Sequence, residues 1–160
     1  MNGVISEGVG YSERPGFTLV GGIPTRIGPV VVRMDGSRES FEAIKTAVAQ
    51  AMTRTCGLVV LDASPEAGTS DGTPRFDRID GRERATAVGI FRNTNVSRVP
   101  TDPDLDALAD QSEGLQASLL VLSSRDVEGL AETPEVLSRI MSARFDVLML
   151  TPGSKRGPGG

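Results

Sequence analysis

Three short stretches of this 160-residue chain carry groups that could do chemistry. Asp35-Gly36-Ser37 follows the run Val30-Val31-Val32-Arg33-Met34 and offers a carboxylate, a turn without a side chain and a hydroxyl. Asp62 closes the run Leu58-Val59-Val60-Leu61 with a second carboxylate. Ser118-Leu119-Leu120-Val121-Leu122 leads into Ser123-Ser124-Arg125-Asp126, with Gly129 and Thr133 beyond. Each stretch sits where an apolar run stops, the place at which a parallel sheet presents ligand-binding groups. Asp35 could accept hydrogen bonds from a nucleoside while Ser37 exposes helix amides; the plainer role of the turn is to leave a strand and cap a helix. Asp62 could meet an adenine edge or cap the next turn. Ser123, Ser124 and Thr133 could contact an anion or accept a phosphate, or serve as loop and cap hydroxyls.

Composition excludes several chemistries. With no histidine and one cysteine, Cys56, the chain has no Ser-His-Asp or Cys-His machinery and lacks the usual zinc and copper ligand sets. An intramolecular disulfide is excluded too, and no metal site or catalytic residue is expected. A net charge of −4 argues against a general affinity for nucleic acid or anionic membrane. No apolar run approaches the roughly 20 residues of a membrane span. The first residues, with Glu7 and Glu13, lack the basic-then-apolar order of a secretory signal, so a cytoplasmic location is expected. All of the 17 basic residues but Lys45 and Lys155 are arginine, which reads as the trace of a GC-rich genome, of a bacterium or its phage.

The elements that must position these groups follow from texture and period. Residues 1–28 are rich in glycine and read as a flexible N-terminal arm, in which Phe17-Thr18-Leu19-Val20 could add an edge strand or dock on the surface. Residues 29–151 form the folded unit, and 152–160, Pro152 to Gly160, read as a disordered tail. Val30–Met34 is the first strand. Phe41, Ile44, Ala47, Val48, Ala51 and Met52 recur in steps of three and four, so a helix runs from Arg38 to about Arg54, capped by Ser37 and stopped by Gly57. Leu58–Leu61 is the second strand. Residues 63–84 read as a loop with at most a short helix near Phe76 and Ile79, and Thr86–Phe91 as the third strand. Asp102 followed by Pro103 predicts a helix whose buried face is Leu105, Leu108, Ala109 and Leu115. Ser118–Leu122 is the fourth strand, Thr133-Pro134 opens another helix, and Phe145–Leu150 is the fifth strand. Nearly continuous apolar strands separated by helical crossovers make an α/β fold, with a parallel sheet covered on both faces.

The block from Val30 through Asp35-Gly36-Ser37 to Asp62 resembles the universal stress protein family, and Ala117 to Pro152 is similar to that family's closing strand–loop–helix–strand unit. The resemblance implies a five-stranded parallel sheet of order 3-2-1-4-5, adenine nucleotide alpha hydrolase-like, with ligands at the carboxyl ends of strands one and four. Many members bind ATP there through a glycine-rich loop after strand four, whose bare amides approach phosphate. Laid on that loop, the first glycine falls on Asp126, the second on Gly129, and the Gly-Ser position on Arg139. Asp126, Glu128, Glu132 and Glu135 surround the phosphate position with carboxylates. The resemblance therefore implies a non-enzymatic, stress-related regulatory module, without a tightly bound ATP cofactor. Asp35, Gly36, Ser37, Asp62, Ser123, Gly129 and Thr133 are what remains of its nucleotide site.

Two other readings stay open. One is a nucleotide-dependent switch, on ATP or AMP, with weak hydrolysis. The other is an anti-sigma-antagonist (STAS-type) regulatory domain, suggested by Gly57 to Ser64. Neither a Gly-x-Gly-x-x-Gly fingerprint nor a phosphate loop with Gly-Lys-Ser/Thr is present. The resemblance further implies a homodimer through the last strand, residues 145–150, whose edge would otherwise expose backbone groups; the alternative is that Phe17–Val20 closes that edge within the same chain. Some other protein partner is expected as well.

Overall fold

The computed structural model describes residues 28–64 and 73–151, and the backbone of 17–20. The expected tail over 152–160 and most of the expected arm lie outside the described residues. In chain order the elements are β1 (Phe17–Val20), β2 (Val30–Met34), α1 (Arg38–Arg54), β3 (Leu58–Asp62), α2 (Gly81–Phe91) and β4 (Val96–Pro100). A short 3-10 turn (Leu105–Ala107) leads into α3 (Leu108–Gly114), followed by β5 (Leu119–Leu122), α4 (Ser124–Ala131), α5 (Pro134–Met141) and β6 (Asp146–Leu150).

The sheet order is β1-β6-β5-β2-β3-β4. Strands β2 to β6 are mutually parallel, and counted from β2 their order is 3-2-1-4-5, as the resemblance implies. A run of valines cannot favour one face, so β2 is buried on both. Val30, Val32 and Met34 pack with Phe41, Ile44 and Ala47 of α1, while Val31 joins Leu120, Leu130 and Ile140 on the opposite face. The switch in crossover direction falls between β2 and β5, which opens a crevice at their carboxyl ends. Among the described residues no helix is long and apolar enough to cross a membrane.

The first half of the pattern is observed as read: α1 spans Arg38–Arg54, and the Ser37 hydroxyl accepts from the amide of Ser40. Its stop differs, because Thr55, in the left-handed region at φ 56°, caps the helix before Gly57 is reached.

The third strand is a correction. Thr86–Phe91 is helical, the end of α2, and the strand is Val96–Pro100. Asp80 and Glu83 form a reciprocal capping box that starts the helix, and Ala87 is its buried contact. No short helix occurs at Phe76 and Ile79. The helix expected from Asp102-Pro103 also starts later: Asp104 is extended, makes no side-chain cap bond, and is followed by the 3-10 turn. The segment after the fourth strand is not a loop but α4. At the sheet margin β1 pairs antiparallel with β6, Phe17 opposite Leu150 and Val20 opposite Val147. The edge that the homodimer reading needs is thus paired within the chain.

Candidate functional site

The Asp35-Gly36-Ser37 turn lies at the carboxyl end of β2, beside the crevice. One Asp35 oxygen accepts from the Ser37 amide (3.0 Å) and hydroxyl (2.5 Å), and the Ser37 oxygen then accepts from the Ser40 amide (3.1 Å). The other Asp35 oxygen faces Arg125 at 3.4 Å and Arg33 at 3.9 Å. Burial raises the Asp35 pKa, but the two Ser37 donors and the two arginines outweigh it, and the net shift is downward. A carboxylate held low is a weaker general base than a free one.

The turn is roofed. Gly36 has φ +87°, and a Cβ there would lie 3.3 Å from the Arg75 carbonyl oxygen. The Gly36 carbonyl accepts from the Asp77 amide at 2.7 Å. Phe76 holds this crossing segment down, its ring 5.3 Å from that of Phe41 and 6.4 Å from that of Phe91. Backbone that a ligand would approach is covered by residues 75–77.

On the other side of the crevice lies a buried ion pair. Arg33 is only 8% exposed although charged. Its guanidinium donates to Asp126 at 2.8 Å and to the Pro103 carbonyl, tying β2 to α4 and to the segment after β4. Asp126, 2% exposed, has its amide bonded to the Ser123 hydroxyl at 3.1 Å. Arg33 Nε and Asp126 Oδ2 are both buried with no hydrogen-bond partner among the described residues. Burial raises the Asp126 pKa; Arg33 opposes the rise and Asp35 adds to it.

The structure places Asp35, Gly36, Ser37 and Ser123 around one crevice, and Asp62 beside them at the carboxyl end of β3, in register with Met34. Both Asp62 oxygens are engaged: one accepts from the Ser64 amide at 2.8 Å and the other meets two nitrogens of Arg98 at 2.7 Å. Gly129 lies inside α4, where a Cβ would come within 2.8 Å of Leu105, so it serves helix packing. The Thr133 hydroxyl does not cap α5 but donates to the Gly129 carbonyl at 3.2 Å. Ser123 and Ser124, 1% and 8% exposed, are out of reach of a modifying enzyme.

Sequence reasoning missed Arg33 and the pairing of Arg125 with Asp35. The signal was present in Arg33: one charge in an otherwise apolar buried strand requires a buried partner. Among the described residues no cluster of acidic or cysteine side chains is placed to hold a metal ion. A separate cavity of about 470 Å³ opens at the amino ends of β3 and β4, between Met52, Cys56 and Asn95, and none of the expected residues lines it.

Two carboxylates, Glu83 and Asp35, are held low by their partners. Glu83 binds Arg38 at 2.7 and 2.8 Å and the Asp80 amide at 3.1 Å, which lowers its pKa to about 2 from an ordinary 4.5. A depressed folded pKa contributes stability that is fully present above the unfolded value and is lost as pH falls through the folded one. Asp35 acts in the same sense and Asp126 in the opposite one. The urea midpoint is expected to fall between about pH 5 and pH 2.5, and Glu83→Gln to flatten that fall. An equal fall in both proteins contradicts this assignment.

No protein-family model matches the chain, and no curated protein matches it. Among solved structures, a universal stress protein in complex with cAMP superposes with a TM-score of 0.54 at 22% identity, over 79% of this chain and 98% of that one. A universal stress protein from Archaeoglobus fulgidus DSM 4304 gives 0.51 at 16% identity, over 82% of this chain and 46% of that one. Strand order, crossovers and superposition agree: this chain has the universal stress protein fold.

Proposed function

We propose that this protein is a divergent universal-stress-protein-like module of the cytoplasm, regulatory and non-enzymatic, whose ancestral nucleotide crevice is closed to ATP. The observation that carries this reading is the Arg33–Asp126 pair, which with the Pro103 carbonyl occupies the carboxyl ends of β2 and β5. Where relatives of the fold need bare amides, Ser123 caps α4 with its own hydroxyl and Asp126 sets a carboxylate in the first turn. A triphosphate would have to displace a buried ion pair and approach Asp35 as well. The Ser37 hydroxyl donates to Asp35, but a carboxylate held low takes a proton poorly. The anti-sigma-antagonist alternative rests on residues 57–64 alone, whereas the universal-stress reading accounts for the whole sheet. Isothermal titration with ATP and Mg²⁺ is expected to give no saturable heat; a micromolar dissociation constant overturns the reading.

A second reading, a switch responding to a monophosphate nucleotide, is favoured by one observation. The crevice holds an unpartnered buried donor, Arg33 Nε, and an unpartnered buried acceptor, Asp126 Oδ2. The solved neighbour with cAMP makes that nucleotide the probe to use. Saturable binding of cAMP without binding of ATP selects this reading over the first.

A further inference from the structure

We infer that the cavity at the amino ends of β3 and β4 is a second ligand site, one that takes a small neutral aromatic molecule. It lies at the end of the sheet opposite the crevice, and its occupancy does not depend on what the crevice binds. The cavity exists because α1 is longer than the strands it covers. Seventeen helical residues span about 25 Å, whereas the five of β3 span about 17 Å, so the last turns of α1 overhang the sheet. The row Ile44, Val48 and Met52, at steps of four, follows the departure: Ile44 is fully buried, Val48 half-buried and Met52 75% exposed.

Under that overhang the core comes to the surface. Ala51 and Leu58 of the cavity wall belong to the core cluster that Phe41 and Ile44 build, and Val48, Cys56 and Val96 pack against it. Backbone bonds fix the wall: the Cys56 amide donates to the Ala51 carbonyl at 3.0 Å, the Leu58 amide to the Asn95 carbonyl at 2.9 Å, and the Asn95 amide to the Asn93 side chain at 2.8 Å. The volume, about 470 Å³, is that of a small-molecule site. Among the described residues that line it none is charged, in a chain that is 24% charged, and none is aromatic. An ion would lose its water there without gaining a partner, so the ligand is neutral. Two sulfur side chains, Met52 and Cys56, do line it, and sulfur packs favourably against aromatic rings, so the ligand brings the ring that the wall lacks. At the exposed rim Thr55, Asn93 and Asn95 offer hydrogen bonds to one uncharged polar group.

The test is fluorescence titration with N-phenyl-1-naphthylamine, an uncharged aromatic amine that brightens in apolar surroundings, on the full chain and on three variants. Cys56, the single cysteine, is half-buried in the wall and reports location through its rate of alkylation by iodoacetamide. One probe is expected to bind per chain. At ten times its dissociation constant it is expected to slow alkylation about tenfold, the factor by which it depletes the free site. Met52→Glu sets a carboxylate at the mouth of an apolar site and is expected to weaken binding about tenfold. Met52→Leu keeps the apolar surface, and Met141→Glu changes an exposed methionine outside the lining; both are expected to leave binding unchanged. Positions 52 and 141 are exposed, so none of the three substitutions disturbs the core. An absent or unsaturable rise in fluorescence overturns the proposal. So do binding that leaves the alkylation rate unchanged and binding that Met52→Glu does not weaken or that Met141→Glu weakens equally. A Cys56 that resists iodoacetamide before any probe is added overturns it too, because another part of the chain or a second copy then covers the cavity.

Discussion

Replacing Asp126 with alanine is expected to destabilise the protein by about 3–5 kcal/mol, the range for removing one partner of a buried ion pair. The loss comes mostly from Arg33. Its guanidinium is 8% exposed, and without Asp126 the Pro103 carbonyl is the partner that remains in hydrogen-bond range. Replacing both members by leucine is expected to recover most of the loss, since a well-packed apolar pair also avoids desolvating two ions. Urea unfolding of the two single variants and the double variant measures the coupling. A single-variant loss below about 1 kcal/mol would mean the pair is solvated and the crevice open. From sequence alone, Asp126→Gly should raise nucleotide affinity by lifting one like charge from a phosphate loop, an effect on the order of 1 kcal/mol. In the structure the residue stands in the first turn of α4, so the same substitution takes from Arg33 its nearest carboxylate before any phosphate is met.

Phe76→Ala is expected to cost about 3 kcal/mol, the lower end for deleting a buried aromatic ring. Phe76 is 7% exposed, touches Phe41 and Phe91, and is the anchor of the segment that crosses Gly36. Its removal is expected to loosen residues 73–80 before the sheet, so limited proteolysis should cut there at a denaturant concentration that leaves circular dichroism unchanged. Phe91→Ala is the comparison: that ring is half-buried at the end of α2 and should leave the 73–80 segment resistant. Equal cleavage in both variants would show that the roof is held by the Asp77–Gly36 backbone bond rather than by the ring.

What could be read in the sequence was local. Helix α1 was legible, its start to the residue, because its cap, Ser37, and its apolar spacing lie within one stretch of chain. The order of the parallel strands came from the resemblance carried by Val30–Asp62 and Ala117–Pro152, not from the local pattern. Thr86–Phe91 misled because six mostly apolar residues with a glycine fit a weak strand. The helix there is begun by the Asp80–Glu83 box and held by Arg38, 45 positions away, a contact no local period reveals. Val96–Pro100 escaped notice because an edge strand is half-exposed and need not be apolar. In the crevice, Asp35-Gly36-Ser37 announced itself as a turn. The ion pair at the crevice joins residues 93 positions apart, and alignment to a phosphate loop placed Asp126 and Gly129 in a loop that the Ser123 cap turns into helix.

The pairing of Phe17 with Leu150 also determines how this fold could be rewired. The two residues face each other across one strand spacing, about 5 Å, so a two- or three-residue turn could join them as a hairpin. New chain ends could then open at the exposed turn of Asn93 and Thr94, between α2 and β4. Such a circular permutant would keep every strand in its place while converting the longest-range pairing of the sheet into its most local one. Strand β1 would be welded to β6, and the sheet would have to be nucleated from the hairpin outward.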